Sequence, residues 1–236
     1  MTRIAHLSDM HLDGSAERHA RFSRSIARAA AFGADHMILT GDLTSSGHPD
    51  EFNELSWALR QWPPERVTLV PGNHDGGPDG WCCALSGPLA RFLRTSARGA
   101  FTGLGDAVVV PINTQFPNPA PIFRGRGYVS IPQLVRLHRI AQATAGHPVV
   151  VAAHHGPQAD PAQWFLGMAN AGQVEYVLDR HDDIVWCCGH DHRLMDLGRV
   201  FAAPAVKSHP DPLRMYAVSG SRLTSIYRSD DRGSYF

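Results

Sequence analysis

Polar and glycine-containing segments follow five of the six short apolar runs in this chain, and this recurrence constrains the fold more than any other feature. The runs are Arg3–Leu7, His36–Thr40, Arg66–Val70, Ala107–Ile112, Pro148–Ala152 and Ile184–Cys188. Each has the length of a strand, and longer amphipathic segments lie between them. Strands that alternate with helices indicate an α/β fold, in which polar residues after parallel strands meet at one edge of a sheet.

The segments between the strands predict helices, and Ser130 is placed to begin one of them as an N-cap. The predicted helices are Ala16–Phe32, Pro49–Gln61, Trp81–Thr95, Ile131–Thr144 and Ala171–His181. In the last forty residues, Leu194–Ala203 and Met215–Arg228 are typical of antiparallel strands separated by a proline-rich turn. Residues 113–127 contain too much proline and glycine for regular structure, and a loop of that length is usually functional or mobile.

The 236 residues suit one well-buried domain, so we expect a single domain over 1–236, to which loops 76–95 and 113–127 could add a small cap.

The 22 lysine and arginine residues balance 22 aspartate and glutamate residues. A neutral chain makes nucleic acid an unfavourable partner, because clustered basic residues bind its backbone. No apolar run approaches the ~20 residues that cross a bilayer. Asp9, the first residue of the polar segments that follow the strands, lies too near the start of the sequence to leave room for a cleavable signal, so we expect a cytoplasmic protein.

The residues after the strands are of the types that bind metal ions. In chain order they are Asp9, His11, Asp42, Asn73, His74, Asp75, His154, His155, His190 and His192. Residues spaced i, i+2 in extended chain point the same way, so Asp9 is expected to converge with His11, and His190 with His192. Each motif alone has a structural explanation, such as a turn or a helix cap. Together, at five strand ends, they predict a metal site.

In the order D-x-H, G-D, G-N-H-D, H-H and G-H-x-H, these motifs resemble those of the calcineurin-like metallophosphoesterases, of the small bacterial type similar to class III cyclic-nucleotide phosphodiesterases. The resemblance runs from Asp9 to His192 and includes Gly127-Tyr128-Val129-Ser130 before a predicted helix. It implies a four-layer αββα sandwich of two mixed β-sheets flanked by helices. Two divalent or mixed-valence transition-metal ions would lie at the carboxyl ends of the strands.

The resemblance also implies how the ligands divide between the ions. One ion would be held by Asp9, His11, Asp42 and His192, and the other by Asp42, Asn73, His154 and His190. Imidazole and oxygen donors without thiolate suit Zn, Mn, Fe or Co, which agrees with this chemistry. The sequence leaves open whether His154 or His155 is the ligand, and we prefer His154 because it is nearer the strand end. The cysteine pairs Cys82-Cys83 and Cys187-Cys188 lack metal-binding spacing and are interpreted as small buried side chains.

The implied reaction is hydrolysis of phosphoesters, most favourably of phosphodiesters such as 3′,5′-cyclic nucleotides. A hydroxide shared by two ions would attack phosphorus. His74 would assist the leaving oxygen, and Asp75 would fix its tautomer or raise its pKa. A phosphomonoesterase or a nucleotide hydrolase would use the same site. A non-catalytic scaffold on this fold is the alternative from another class, and a homo-oligomer is compatible with the sequence.

Overall fold

The computed structural model describes residues 1–76, 84, 86–92, 101–117, 123–159 and 165–227. The first of two mixed sheets contains β1 (Thr2–Leu7), β2 (His36–Thr40), β3 (Val67–Val70), β10 (Arg214–Ser219) and β11 (Arg222–Tyr227). Their order in the sheet is β11-β10-β1-β2-β3. Because β1, β2 and β3 are parallel, their carboxyl ends lie along one edge, while β10 and β11 run antiparallel to their neighbours.

The second sheet contains β4 (Thr102–Gly103), β5 (Val108–Pro111), β6 (Val149–Ala152), β7 (Ile184–Cys188), β8 (Met195–Leu197) and β9 (Val200–Ala202). Their order is β4-β5-β6-β7-β9-β8. The four central strands are parallel, and the short edge strands β4 and β8 are antiparallel to them. The ends of β6 and β7 therefore also meet at one edge.

Four α-helices that lie wholly within the described residues connect or follow these strands. They are α1 (Ala16–Ala31), α2 (Pro49–Ala58), α3 (Ile131–Ala143) and α4 (Ala171–Leu178). Ser15 caps α1 by accepting the Arg18 N–H, and His48 and Glu51 form a capping box at α2. Ser130 is the N-cap residue of α3, although its side chain makes no capping hydrogen bond. Among the residues that the structure describes, no helix combines the length and the hydropathy needed to cross a bilayer.

Three apolar clusters separate the layers. The side chains of α1 and α2 pack on one face of the first sheet, as Phe22 and Phe52 do with Leu39. The helices α3 and α4 pack on the second sheet in the same way. Between the sheets, Ile38 and Val150 belong to a third cluster. Successive side chains of a strand point to opposite faces, so strands covered on both sides are apolar throughout. The predicted four-layer αββα sandwich is confirmed.

The six predicted strands appear with ends shifted by one residue at most, but the prediction for the C-terminal region is wrong in one respect. Leu194–Ala203 is a hairpin that turns at Gly198, and Met215–Arg228 contains another that turns at Gly220. The first hairpin joins the second sheet and the second joins the first sheet, so they do not pair with each other. Most of the predicted helix Trp81–Thr95 lies outside the described residues, as does part of each cap loop.

Candidate metal centre

The loops after β1, β2 and β7 bring four ligand-type side chains together. The distances are 3.4 Å from His11 Nε2 to Asp42 Oδ2 and 3.2 Å from His192 Nε2 to Asp9 Oδ1. One ligand atom from each of the four lies within 4.8 Å of the others. Asp9, His11 and Asp42 are buried, whereas His192 is 37% exposed and forms the open side. This first ligand group has the composition that the family resemblance implies for one ion.

A second ligand group surrounds Nε2 of His154. That nitrogen lies 3.1 Å from Asn73 Oδ1, 3.4 Å from Asp42 Oδ1 and 3.3 Å from His190 Nδ1. Asp42 thus belongs to both groups: its Oδ1 faces His154 and its Oδ2 faces His11. The two groups are adjacent and share one carboxylate.

Hydrogen bonding distinguishes His154 from His155. His154 Nδ1 donates to the Thr40 carbonyl at 2.8 Å, so Nε2 is the nitrogen turned towards the second group. Both His155 nitrogens have protein partners, because Nε2 donates to the Gly125 carbonyl and Nδ1 accepts from the Thr114 hydroxyl. A ring nitrogen of His155 lies within 4.8 Å of ring nitrogens of His154 and His190, yet the lone pair of His155 is occupied by the Thr114 hydroxyl. Of these two histidines, His154 is the one whose Nε2 faces Asn73 and Asp42.

The donor atoms fit transition-metal ions. Atoms bound at about 2.1 Å to one ion lie roughly 3 to 3.5 Å from each other, and most of the spacings in both groups fall near this range. Asp9 Oδ1 is buried without a hydrogen bond of suitable geometry, while its Oδ2 accepts the His190 N–H at 3.1 Å. A buried carboxylate oxygen in that state is costly unless a cation satisfies it. Nitrogen and oxygen donors without sulfur match the metals expected from the sequence.

The backbone at these residues is strained. Every non-glycine residue with a positive φ in the described part of the chain is a predicted ligand: Asp9 (55°), His11 (46°), Asp42 (46°), His190 (70°) and His192 (57°). The expectation that the i, i+2 pairs converge from extended chain is therefore wrong, since they converge from the left-handed region. Backbone bonds from Asp9 N–H to the Gly41 carbonyl and from His11 N–H to the Asp42 carbonyl hold the two loops side by side. Each such residue costs about 1 to 2 kcal/mol, a pattern that marks functional sites.

Two glycines allow the ligands to pack closely. A β-carbon at Gly41 would lie 2.6 Å from Nδ1 of His154, and one at Gly189 would collide with the side chains of Ser8 and Asp9. Ordinary van der Waals contact begins near 3.4 Å. The close approach of the ligands therefore depends on the absence of a side chain at these positions.

The prediction that Asp75 orients His74 needs correction. The buried Asp75 carboxylate accepts four hydrogen bonds from the loops after β2 and β3, donated by Leu43 N–H, Thr44 N–H, the Thr44 hydroxyl and Gly72 N–H. Those donors draw the carboxylate away from the His74 ring. His74 Nδ1 instead donates to the Ser45 carbonyl at 2.9 Å, and His74 N–H donates to Asp42 Oδ1. His74 lines the cavity over the ligands, with Nε2 turned away from Ser45.

The protein environment sets the charge of the ligands. Burial lowers the pKa of His154, but the charges of Asp42 and Asp9 outweigh it and raise that pKa to about 9. Burial lowers the pKa of His11 to about 3 and, with the charge of His154, that of His190 to about 4. These two imidazoles are therefore neutral near pH 7, as ligands must be. The raised pKa of His154 shows that this position attracts positive charge. An ion bound by His154 would take the place of its proton.

Sequence reasoning missed two basic residues at this site. Arg18, in the first turn of α1, donates to the His11 carbonyl and to Ser45 Oγ, and so ties two ligand-bearing loops together. Lys207 Nζ lies 3.1 Å from His11 Nε2. Arg18 carries no sequence signal, whereas Lys207 is the only lysine in the chain and could have been singled out for that reason.

Four of the predicted ligands, Asp42, Asn73, His190 and His192, line a cavity of about 480 Å³, which is a size typical of small-molecule sites. Its lining includes Asp42, Asn73, His74, Gly125, Leu166, His190, Asp191, His192, Arg193 and Met195. Leu166 and Met195 give it apolar surface, and Arg193 adds a positive charge at the wall. The arrangement can hold an anion over two ligand groups while leaving room for an organic substituent.

Comparison with known proteins agrees with this fold. The family model described as calcineurin-like phosphoesterase matches residues 2–194. A protein of Vesicomyosocius okutanii named "Probable cyclic nucleotide phosphodiesterase" is 24% identical over an alignment of 207 residues that covers 84% of this chain and 81% of that protein. A dimetal phosphatase from Danio rerio has the same fold, with a TM-score of 0.71, 13% identity and coverage of 97% of this chain and 99% of its own. GAP50, the anchor in the inner membrane complex of Plasmodium, also shares the fold, with a TM-score of 0.57, 9% identity and coverage of 96% and 87%.

Proposed function

The chain belongs to the calcineurin-like phosphoesterase family and is a metal-dependent phosphoester hydrolase, and from this premise we propose that it hydrolyses phosphodiesters, with 3′,5′-cyclic nucleotides as its substrate class. The family implies a dinuclear site of divalent transition-metal ions.

The observation that carries the proposal is the position of Asp42 between the two ligand groups. One carboxylate oxygen lies 3.4 Å from His11 Nε2 and the other lies 3.4 Å from His154 Nε2. A single carboxylate can therefore join two ions, each completed by its own imidazoles. In this proposal the first ion is held by Asp9, His11, Asp42 and His192, and the second by Asp42, Asn73, His154 and His190.

Two such ions, when bound, lower the pKa of water to supply a nucleophile at neutral pH and neutralise the charge on the phosphate oxygens. The protein must keep the ligands in place while this occurs. His154 is held by the Thr40 carbonyl, and Asp42 by the His74 N–H. Asp75, fixed by four donors, connects the loops after β2 and β3 and acts as a positioning residue.

His74 is the group placed to assist the leaving oxygen. Its Nδ1 holds a proton on the Ser45 carbonyl, so a second proton on Nε2 would point away from that carbonyl and into the cavity. An imidazole protonated at both nitrogens can donate Nε2–H to the oxygen that departs from phosphorus. The Ser45 carbonyl, rather than Asp75, orients the ring in this proposal. His74 lies beside ligand Asn73 and is not itself assigned as a ligand.

The substrate class rests on the cavity and on the relatives. A phosphodiester with a nucleoside needs apolar surface beside the phosphate, and Leu166 and Met195 supply it. The named relative in Vesicomyosocius okutanii, which matches along most of both chains, supports a cyclic nucleotide. A nucleoside monophosphate would place the same organic group against these side chains, so the preference for a cyclic diester rests on the named relative.

A rate comparison tests this proposal. The Mn²⁺-loaded protein is assayed with 3′,5′-cyclic AMP, bis-p-nitrophenyl phosphate and p-nitrophenyl phosphate at the same metal content. We expect the two diesters to have kcat/KM values at least about tenfold above that of the monoester. Faster monoester hydrolysis would assign the chain as a phosphomonoesterase, and inactivity of a protein that holds two ions towards every ester would favour the scaffold alternative.

A further inference from the structure

Lys207 stands out in the sequence and in the site. It is the only lysine among the 22 lysine and arginine residues of the chain. Wherever else this protein carries a permanent positive side chain, it uses arginine. Lys207 also lies beyond residues 2–194, the part that the family model matches. Its position among metal-ligand side chains shows that this single lysine is not simply a solvated surface charge.

The backbone of Lys207 is fixed beside the first ligand group. The segment between β9 and β10 runs along the end of β1, where Val206 N–H donates to the Ser8 carbonyl and Lys207 N–H donates to the Asp9 carbonyl. From this anchor the half-buried side chain places Nζ 3.1 Å from His11 Nε2. The charges of Asp9 and Asp42 act on the ammonium group as well. Lys207 is therefore held at the site by main-chain bonds, while its long side chain remains adjustable.

The contact between Lys207 and His11 cannot persist in the loaded enzyme. A neutral imidazole has one nitrogen lone pair, so His11 Nε2 either accepts a hydrogen bond from Nζ or binds an ion, but not both. Two cations also repel each other at such short range. When His11 binds an ion, Nζ must leave His11 Nε2. Asp9 and Asp42, whose charges act on Lys207, would then be ion ligands as well, so the negative charge left for Nζ to bind is that of an anion held over the ligands.

We propose that Lys207 binds the phosphoryl group of the substrate, with Nζ transferring its hydrogen bond from His11 to a non-bridging phosphate oxygen. This inference rests on the proposed function. Lysine suits the role better than arginine, because its compact ammonium on a flexible four-carbon chain can reorient within a confined site, whereas the planar guanidinium of arginine has a fixed fork geometry. Lys207 would thus add a protein-borne positive charge to the charge of the ions.

Substitution tests the contact in the working enzyme. Lys207→Met removes the ammonium and preserves most of the side-chain length, and Lys207→Arg restores a positive charge. We expect Lys207→Met to lose about ten- to a hundredfold in kcat/KM, the usual effect of losing one charged hydrogen bond. It should keep both metal ions and require more inorganic phosphate for half inhibition, and Lys207→Arg should recover part of the loss. Arg222→Met, at an exposed residue of β11, controls for the loss of one charge.

A direct readout is available because the chain has one lysine. Reductive methylation with ¹³C-formaldehyde labels only Lys207 and the N-terminal amine, and both remain cationic. The N-terminal amine lies near Asp106 and serves as the internal reference. Loading with Zn²⁺ should shift the Lys207 methyl resonance, and inorganic phosphate should then shift it again without moving the reference.

The inference is overturned if phosphate leaves the Lys207 resonance of the Zn²⁺-loaded protein unchanged, or if Lys207→Met retains the kcat/KM and the phosphate inhibition of the unsubstituted enzyme. Failure of the proposed function looks different: the enzyme with Lys207 in place would then hydrolyse no diester, whether or not phosphate reaches this side chain. The methyl resonance is measured without substitution at Lys207, so it decides the matter even if the methionine variant folds poorly.

Discussion

Replacing Gly41 by alanine should separate backbone strain from displacement of a metal ligand. Gly41 has φ +88°, and an added β-carbon would lie 2.6 Å from His154 Nδ1, about 0.8 Å inside ordinary contact. Gly146 is a matched control, because it has φ +90° and no atom within 4 Å of an added β-carbon. Both variants should lose about 1 to 2 kcal/mol of unfolding free energy from the left-handed backbone. Only Gly41→Ala should move His154.

A displacement of nearly 1 Å has a large effect at this position. His154 Nε2 would leave its place 3.1 Å from Asn73 Oδ1, and the bond from His154 Nδ1 to the Thr40 carbonyl would be distorted. Misplacement on this scale costs about a hundredfold in rate. We expect Gly41→Ala to lose about that factor in kcat/KM and to bind one ion more weakly, and Gly146→Ala to keep both properties.

The assay measures kcat/KM with bis-p-nitrophenyl phosphate, metal content by elemental analysis, and unfolding of the metal-free proteins by urea. The urea data show whether the two alanines cost the same stability, so that the difference in activity reports His154 alone. If Gly41→Ala binds two ions and keeps the kcat/KM of the unsubstituted protein, the argument that Gly41 positions His154 is wrong.

Three further predictions concern the ligand choice, the leaving group and pH. His154→Gln should lose one ion and nearly all activity, whereas His155→Gln should keep two ions; loss of an ion only in the second variant would reverse the assignment. His74→Ala should keep its metal content and lose about ten- to a thousandfold in kcat, and full activity would exclude His74 from the reaction. Burial lowers the pKa of His36 to about 4 from 6.5. This histidine takes up its proton more readily in the unfolded chain, so it makes stability fall as pH drops from 6.5 towards 4. The free energy of unfolding, measured with urea, should fall by about 2 kcal/mol less from pH 7 to pH 5 in His36→Gln than in the unsubstituted protein. Equal falls in the two proteins would refute the lowered pKa of His36.

Most of the architecture could be predicted because apolar runs and polar strand ends are local patterns. Strands buried on both faces must be apolar, and parallel strands bring their following residues to one edge, so Asp9 and Asp42 could be placed together without coordinates. His154 follows β6 of the other sheet, so its expected place beside them comes from the family resemblance. The assignment of each C-terminal hairpin to its sheet could not be predicted, since Leu194–Ala203 and Met215–Arg228 have similar local patterns and tertiary packing decides which sheet each joins.

The finer chemistry of the site depends on contacts that spacing does not encode. His11 and His190 lie in the left-handed region, where His11 N–H donates to the Asp42 carbonyl and His190 N–H donates to Asp9 Oδ2, so the i, i+2 rule for extended chain does not apply there. Asp75 is adjacent to His74 in sequence, yet its carboxylate satisfies the amides of another loop. Lys207 reaches His11 across 196 positions of sequence. Such contacts follow from packing between distant segments and become visible only in three dimensions.

The central claim, that two ions joined by Asp42 carry out phosphodiester hydrolysis, is tested most directly by titrating the metal-free protein with Mn²⁺ while following hydrolysis of bis-p-nitrophenyl phosphate. The rate should rise until two equivalents are bound and then remain constant, and Asp42→Asn should bind fewer than two ions and show almost no rate. A rate that reaches its maximum at one equivalent, or that is complete without added metal in protein shown to be metal-free, would contradict the account.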